Sequence, residues 1–225
     1  MPSPRTRRLC HVVLTAALLL AGCSAQQQPA HPALAVVAQQ HDALALSDAL
    51  EALIDKGTDR PADRAYAYDV VRSYEGDTAS YAFARAAITG RYVQQRGLLA
   101  AHLAKDVEHW ARRSRKLDPD FRDRAATRLL GTLYVIAPAT LLEQGNSEIG
   151  LDLLEGLAEQ HPDVLENHLR LAEAYIALND PDPARPHLCF CLARQSALRG
   201  DDQRLLKLLV GDLAPLECSA GGAAR

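Results

Sequence analysis

The sequence predicts an all-α protein built as an array of helical hairpins, and three observations lead to this fold class. Alternation of apolar and polar residues at a period of two, which is typical of β-strands, is nowhere sustained. An aliphatic residue, a small residue and a tyrosine recur at positions i, i+1 and i+4, on one side of a helix. Prolines recur twelve residues after a small or aliphatic residue in each predicted hairpin, where they would end one helix and open the next.

The aliphatic-small-tyrosine pattern occurs three times, at Leu171-Ala172-x-x-Tyr175, Leu130-Gly131-x-x-Tyr134 and, more loosely, Val70-Val71-x-x-Tyr74. The prolines Pro162, Pro119 and Pro61 each lie twelve residues after Gly150, Val107 and Ala49 respectively. This spacing resembles the tetratricopeptide repeat, a pair of antiparallel helices that cross at small residues. In the clearest unit, at about 164–196, the resemblance implies that Ala172 and Ala184 form the crossing.

The spacing is irregular, so the expected fold is an irregular tetratricopeptide-like helical-hairpin array rather than a regular solenoid. The pair that includes Leu130 and Gly150 has seven extra residues in its turn, and the interval from Val70 to Val107 is long enough for one more helix. About nine helices are expected, and the last would be a C-terminal capping helix on the open end of the array. Their predicted ranges are 35–56, 62–75, 79–95, 98–117, 121–136, 147–160, 164–179, 182–198 and 202–213.

The N-terminus has the pattern of a lipoprotein signal peptide over residues 1–22. Three arginines precede an apolar run, 12–20, that is too short to span a bilayer, and the run leads into Leu20-Ala21-Gly22-Cys23. This tetrapeptide resembles the bacterial lipobox, which implies lipidation of Cys23. Ser24 after the cysteine favours the outer membrane, facing the periplasm. Residues 23–34 are expected to form a flexible tether, 35–213 the helical domain and 214–225 a disordered tail.

The charge of the mature chain argues against a nucleic-acid partner. Loss of Arg5, Arg7 and Arg8 with the signal peptide leaves 22 basic and 28 acidic side chains, a formal charge of −6. Such a protein offers no general electrostatic attraction to nucleic acid or to an anionic membrane, so the lipid is expected to anchor it. Self-association into a homo-oligomer remains an open alternative.

No strong catalytic signature is present, and the chain is not expected to be an enzyme or to bind a cofactor. His102, Asp106 and His109 share one predicted helix face, but the same helix carries Lys105, Glu108, Arg112 and Arg113 and is better interpreted as a solvated charged face. No metal site is predicted there.

Three cysteines remain in the mature chain besides Cys23. His187, Cys189 and Cys191 would supply soft metal ligands, but residues two apart on a helix diverge by ~200°. We therefore expect buried thiols here rather than a metal site. A disulfide between Cys218 and one of the other two is an alternative that the sequence leaves open.

Five tyrosines cluster in the N-terminal half: Tyr66, Tyr68, Tyr74, Tyr81 and Tyr92. Tyrosine suits half-buried helix surfaces, so these side chains are expected in the core and at its rim. The alternative is that they line a groove or cavity between helix pairs, where apolar walls with a few hydroxyls form a small-molecule site.

Residues 117–121, 128–134, 137–138 and 166–175, together with the lipobox, resemble the T component of TRAP transporters. The resemblance covers roughly 35–213 and implies a periplasm-facing lipoprotein that binds or relays a hydrophobic or organic-acid solute together with an extracytoplasmic solute-binding protein. Candidate ligand-binding residues are Tyr74, Tyr81, Trp110, Tyr134 and Tyr175. The alternative is a scaffold lipoprotein that holds another envelope protein on a concave helical surface.

Overall fold

The computed structural model describes residues 30–213 and 215–218, and this part of the chain is all-α, as predicted. It contains α-helices and three short 3₁₀ helices, and the described residues include no β-strand. The α-helices are α1 (Pro32–Ala38), α2 (Ala43–Asp55), α3 (Pro61–Arg72), α4 (Ala79–Arg96), α5 (Ala104–Leu117), α6 (Phe121–Ile136), α7 (Ser147–Gln160), α8 (Leu165–Ala177), α9 (Ala184–Leu192) and α10 (Gly200–Asp212).

Helices adjacent in sequence pack against each other, most extensively as the pairs α4/α5, α6/α7 and α8/α9. The predicted small residues lie at these contacts. Ala172 and Ala184 have no exposed surface, and a Cβ atom on Gly131 would lie 3.1 Å from the carbonyl oxygen of Gly150. The small side chains therefore let the backbones of each pair approach closely.

The even-numbered helices form a closed circuit. Helices α2, α4, α6 and α8 contact one another in that order, and α10 contacts both α8 and α2. As predicted, α10 covers the last helix pair, burying Leu206 and Leu209 in a cluster with α8 and α9. Its return to α2 was not predicted, and it brings the two ends of the array together.

The contact that completes this circuit is largely ionic, and we call it the closing interface. The Arg91 guanidinium of α4 donates to both carboxylate oxygens of Glu51 on α2, each at 2.7 Å, and to Asp201 on α10 at 2.7 Å. Arg199 donates to Glu51 at 2.8 Å. At the N-terminus of α10, the backbone N–H of Gly200 donates to Asp55 at 2.5 Å.

Three predicted helices differ from the structure, one by an internal break and two at one end. The range 35–56 is divided, because His41 has a left-handed φ of 54° and Asp42 caps α2 by accepting from two backbone N–H groups. The range 98–117 begins as a 3₁₀ helix, Gly97–Leu103. The range 182–198 ends its α-helical part at Leu192.

The predicted helix 121–136 matches α6 in its bounds but not throughout in its geometry. Its residues 122–124 have left-handed φ values between 49° and 60°, so its continuous right-handed backbone runs from Ala125 onward. The side chain of Arg122 forms two hydrogen bonds of 2.6 and 2.7 Å with Asp48 on α2.

The domain boundaries also need correction. Helix α1 starts at Pro32 and buries Leu34, so the end of the predicted tether, 23–34, belongs to the folded part. At the other end, Cys218 of the predicted disordered tail forms a disulfide with Cys189, with Cα atoms 5.5 Å apart. Cys23 and the predicted signal peptide lie outside the described residues. None of the described helices has the length and apolar character needed to cross a membrane.

Candidate binding cleft

A buried carboxylate on α5 holds the enlarged turn between α6 and α7 in place. Glu108 is 1% exposed. It accepts hydrogen bonds from the Tyr134 hydroxyl at 3.0 Å and from the backbone N–H groups of Glu143 and Gln144 at 2.6 and 2.9 Å. A buried carboxylate is tolerated only when it has such partners. The turn is therefore fixed against α5 at Glu108.

The turn and α5 together form an open cleft of about 410 Å³. Its lining is mainly basic and consists of Glu108, His109, Arg112, Arg113, Arg115, Lys116, Glu143 and Gln144. Arg113 has a loose ion pair with Asp77 at 3.8 Å, and both side chains of that pair are well exposed. Such an exposed pair contributes little free energy, so Arg113 can exchange Asp77 for another anion.

The charges of the cleft suit an anionic group. Four cationic side chains face two carboxylates, and one of these, Glu108, already accepts three hydrogen bonds from the protein. Guanidinium groups bind carboxylates in a bidentate manner, which adds geometric selectivity to the charge. The arrangement can bind carboxylates, but it brings no nucleophile and general base together for covalent chemistry.

Three of the predicted ligand-binding residues, Tyr74, Tyr81 and Trp110, meet in the N-terminal core, where the hydroxyls of the two tyrosines are bound within the protein. The Tyr74 hydroxyl donates to the carbonyl of Ala38, and the Tyr81 hydroxyl donates to the carbonyl of Tyr74, both at 2.6 Å. Trp110 packs edge-on against Tyr81, with ring centroids 5.5 Å apart. Burial raises the pKa of Tyr74 above its usual value. These contacts tie together α1, α4, α5 and the segment that follows α3.

The other two predicted residues lie apart from that group and from each other. Tyr134 is 2% exposed and bound to Glu108, while the Tyr175 hydroxyl donates to Glu155 at 2.5 Å. Burial, followed by the Glu155 carboxylate, raises the pKa of Tyr175. The structure thus does not bring the five predicted residues to one common wall, and none of them lines the basic cleft.

Neither histidine cluster forms a metal centre in the structure. His102 lies in the 3₁₀ helix, whereas Asp106 and His109 lie on α5, so the three do not share one α-helix. No group of three potential ligands among the described residues is placed to hold a metal ion. Cys189 is in the disulfide, and Cys191 is a buried thiol whose pKa burial raises to about 12.

His187 instead pairs with a second histidine on α8. Their Nδ1 atoms are 2.8 Å apart, and His168 Nε2 is 2.7 Å from the carbonyl oxygen of Pro162. Because a carbonyl only accepts, Nε2 of His168 carries a proton, and one of the two Nδ1 atoms donates to the other. Burial, with the neighbouring His168, lowers the pKa of His187 to about 4.

Four of the eight cleft residues, Glu108, His109, Arg112 and Arg113, belong to the helix face that the sequence indicates as solvated and charged. The segment 112–116 contains four cationic residues, which is a clear signal of charge. What the sequence did not show was the contact of Glu108 with the turn at 143–144, because these residues are 35 and 36 positions apart. A basic helix face becomes a cleft only when a second wall is present.

A comparison of the chain with known protein families gives no match, and neither does a comparison with proteins of curated function.

Proposed function

We propose that this chain is a non-catalytic, lipid-anchored adaptor of the bacterial envelope that binds an acidic segment of a partner protein in the basic cleft on α5. The observation that carries the proposal is the lining of that cleft by Arg112, Arg113, Arg115 and Lys116. An open polar groove favours a peptide or protein partner, whereas a small apolar solute is better held in an enclosed cavity.

Two further features support an extracytoplasmic adaptor anchored at Cys23. The disulfide between Cys189 and Cys218 fits an oxidising compartment such as the periplasm. The resemblance to the T component of TRAP transporters implies an extracytoplasmic solute-binding protein as the first partner to test. The same resemblance implies a solute, and the cationic lining favours an organic acid over a purely apolar one.

The test uses a photo-crosslinking amino acid at position 116, in the full lipidated chain, in its own host. We expect the label to capture an acidic peptide of an envelope protein, identified by mass spectrometry. The double variant Arg115→Glu/Lys116→Glu, with the label moved to position 144, should lose that product. Lys207→Glu serves as the matched control, because it reverses an exposed charge on α10, outside the cleft lining.

Three outcomes would count against the adaptor. Capture that survives charge reversal would show that the basic lining does not bind the partner. Capture of the same partner from a label at position 207 would show that the contact is not at the cleft. A small organic acid released from the purified protein on denaturation, in the absence of a captured protein, would favour the solute-handling alternative.

A further inference from the structure

The turn between α4 and α5 presents two leucines to solvent. Leu98 is 93% exposed and Leu99 is 75% exposed, the largest values among the large apolar side chains of the described residues. A 3₁₀ helix completes a turn in three residues, so Ala100 and Leu103 share its inner side. Ala100 is buried, and Leu103 packs against the N-terminal core. The two leucines before them are consequently directed outward.

The backbone holds this turn in a defined shape. Gly97, which ends α4, has φ +55° and ψ −133°, a region that side chains with a Cβ atom rarely adopt. A Cβ atom at Gly97 would meet nothing within 4 Å, so the glycine serves the backbone conformation rather than a close approach. The outward direction of Leu98 and Leu99 is therefore a built feature of the fold.

The N-terminal segment enters the described domain at the same end. The backbone N–H of His31 donates to Asp63 at 2.6 Å, at the start of α3. The next residue of that helix, Arg64, donates to the carbonyl of Arg91 and to the side chain of Gln94, both at 3.3 Å. Gln94 lies in the last turn of α4, three residues before Gly97.

The distance from Cys23 to this end of the domain is short. Cys23 and Ala30 are seven residues apart, and a fully extended chain spans at most ~3.6 Å per residue, or roughly 25 Å here. A bilayer that holds lipid on Cys23 must therefore lie within reach of the end of the domain that carries Leu98 and Leu99. The charges beside the turn also suit anionic headgroups, since Arg96, His102 and Lys105 are exposed and Asp106 is the one acid in 96–106.

We propose that Leu98 and Leu99 insert into the boundary between headgroups and acyl chains of the membrane to which Cys23 is anchored, and so fix the orientation of the domain. The inference rests on the lipid anchor in the proposed function. Helix α4 has 18 residues, or about 27 Å at ~1.5 Å per residue. Ser114 near the far end of α5 donates to Ala79 at the start of α4. The inserted turn would thus hold the basic cleft away from the bilayer, facing the periplasm.

The test measures the depth of this turn with tryptophan fluorescence in the full lipidated chain. Leu98→Trp and Leu117→Trp are reconstituted into vesicles of phosphatidylethanolamine and phosphatidylglycerol with brominated acyl chains. Leu117 is the matched control because it is an exposed leucine at the opposite end of the α4/α5 pair. We expect Leu98→Trp to be quenched several-fold more strongly than Leu117→Trp, after subtraction of the signal of Trp110 in the wild type.

Flotation of the wild type and of Cys23→Ala with the same vesicles separates this inference from its premise. Flotation that requires Cys23, with equal quenching at positions 98 and 117, would overturn the insertion and leave the anchor in place. Flotation that does not require Cys23 would remove the premise of the lipid anchor, and equal quenching at positions 98 and 117 would remain the result that overturns the insertion. A blue-shifted, concentration-dependent emission of Leu98→Trp without vesicles would show that a second copy covers the leucines, and would also overturn the insertion.

Discussion

The helix-pair contacts and the closing interface hold the same array together by different means. In the α6/α7 pair, Gly131 and Gly150 let the backbones approach, and Leu154 is fully buried beside them. At the closing interface, charged side chains meet across 110 residues of sequence, from Arg91 to Asp201. The first contact is apolar and formed by neighbours in sequence, whereas the second is ionic and formed by the two ends of the described domain.

This difference indicates which contact contributes most to the free energy of unfolding and which one determines the arrangement of the helices. Apolar burial is non-directional and contributes roughly in proportion to area. Ion pairs near a surface contribute little free energy on average, but they constrain geometry and respond to salt and pH. We therefore expect the helix pairs to set the free energy of unfolding and the closing interface to set how α10 meets α2.

The largest effect is expected from a cavity inside a helix pair. Leu154→Ala removes a side chain that has no exposed surface and that contacts the crossing at Gly131. The free energy of unfolding should fall by about 2–5 kcal/mol, the range for leucine truncation in a core. Urea denaturation followed by circular dichroism measures the change.

The control is Leu208→Ala, the same substitution at a leucine that is 66% exposed. Its effect should stay within about 0.5 kcal/mol, as for other surface positions. Equal losses in the two variants would contradict the view that the α6/α7 contact stabilises the fold through apolar burial.

The next prediction concerns the pH dependence of the α8/α9 pair, in which His187 lies against His168. Because the folded pKa of His187 is about 4, below the usual histidine value of 6.5, the unfolded chain binds the proton first. Stability from this group is therefore complete above about pH 6.5 and is lost as the pH falls towards 4. The loss should be about 1–3 kcal/mol, allowing for the partial exposure of the ring.

His187→Gln should flatten this dependence, measured as the difference in unfolding free energy between pH 7 and pH 4.5. The matched control is His109→Gln, which changes an exposed histidine outside the pair and should keep the wild-type slope. A slope that persists unchanged in His187→Gln would show that the pair with His168 does not destabilise the imidazolium.

The fold could be predicted from the sequence wherever a local pattern decided it. The prolines near helix starts predict α3, α6 and α8 with ends that agree with the structure within three residues, whereas α9, which begins at Ala184, ends six residues earlier than predicted. The break at His41 was missed although Asp42 is a good N-cap residue, because an apolar helical period on both sides masked it. The left-handed residues 122–124 have no local signal in the sequence, since none of them is glycine.

The candidate site and the closing interface were harder to predict because both depend on distant residues. Tyrosines at helical spacing are compatible with a core and with a cavity wall, and only their hydrogen bonds, such as that from Tyr81 to the carbonyl of Tyr74, distinguish the two. Arg91 and Glu51 are likewise ordinary charged residues in the sequence. Their pairing requires the circuit of helices to close, which no local pattern encodes.

A smaller effect is expected from the closing interface. Arg91→Met keeps the length of the side chain and removes its charge, so Glu51 and Asp201 lose a shared partner. Arg199 still pairs with both, and the groups are partly exposed. We therefore expect a loss of about 2 kcal/mol, between the values for surface and buried pairs. Arg96→Met, at an exposed position on the same helix, is the control.

Salt and acid should reduce the difference between wild type and Arg91→Met. Burial acts to raise the pKa of Asp201, but Arg91 and Arg199 outweigh it and hold that pKa below its usual value. The corresponding stability is present above about pH 4 and is lost as the pH falls further. High salt screens the same pair. A difference that is unaffected by 1 M salt, about seven times physiological ionic strength, would indicate that packing of the Arg91 side chain carries the effect.

The smallest predicted effect comes from substituting two glycines on α7, Gly150 and Gly156. In Gly150→Ala the new Cβ atom would lie 2.8 Å from the carbonyl oxygen of Gly131, so the α6 and α7 backbones must separate. In Gly156→Ala the nearest atom is Nε2 of the Gln160 side chain at 3.7 Å, an ordinary contact. Alanine favours a helix over glycine by ~0.5–1 kcal/mol, and overpacking costs about 1–3 kcal/mol.

The two substitutions should therefore have opposite signs. Gly150→Ala should lower the free energy of unfolding by about 1 kcal/mol, because the overpacking exceeds the helix preference. Gly156→Ala should raise it by about 0.5 kcal/mol, because only the helix preference acts. Thermal and urea unfolding of both variants gives the comparison directly. A stabilising Gly150→Ala would mean that the crossing can open at no cost, and the close approach of α6 and α7 would then be a consequence of the fold rather than a condition for it.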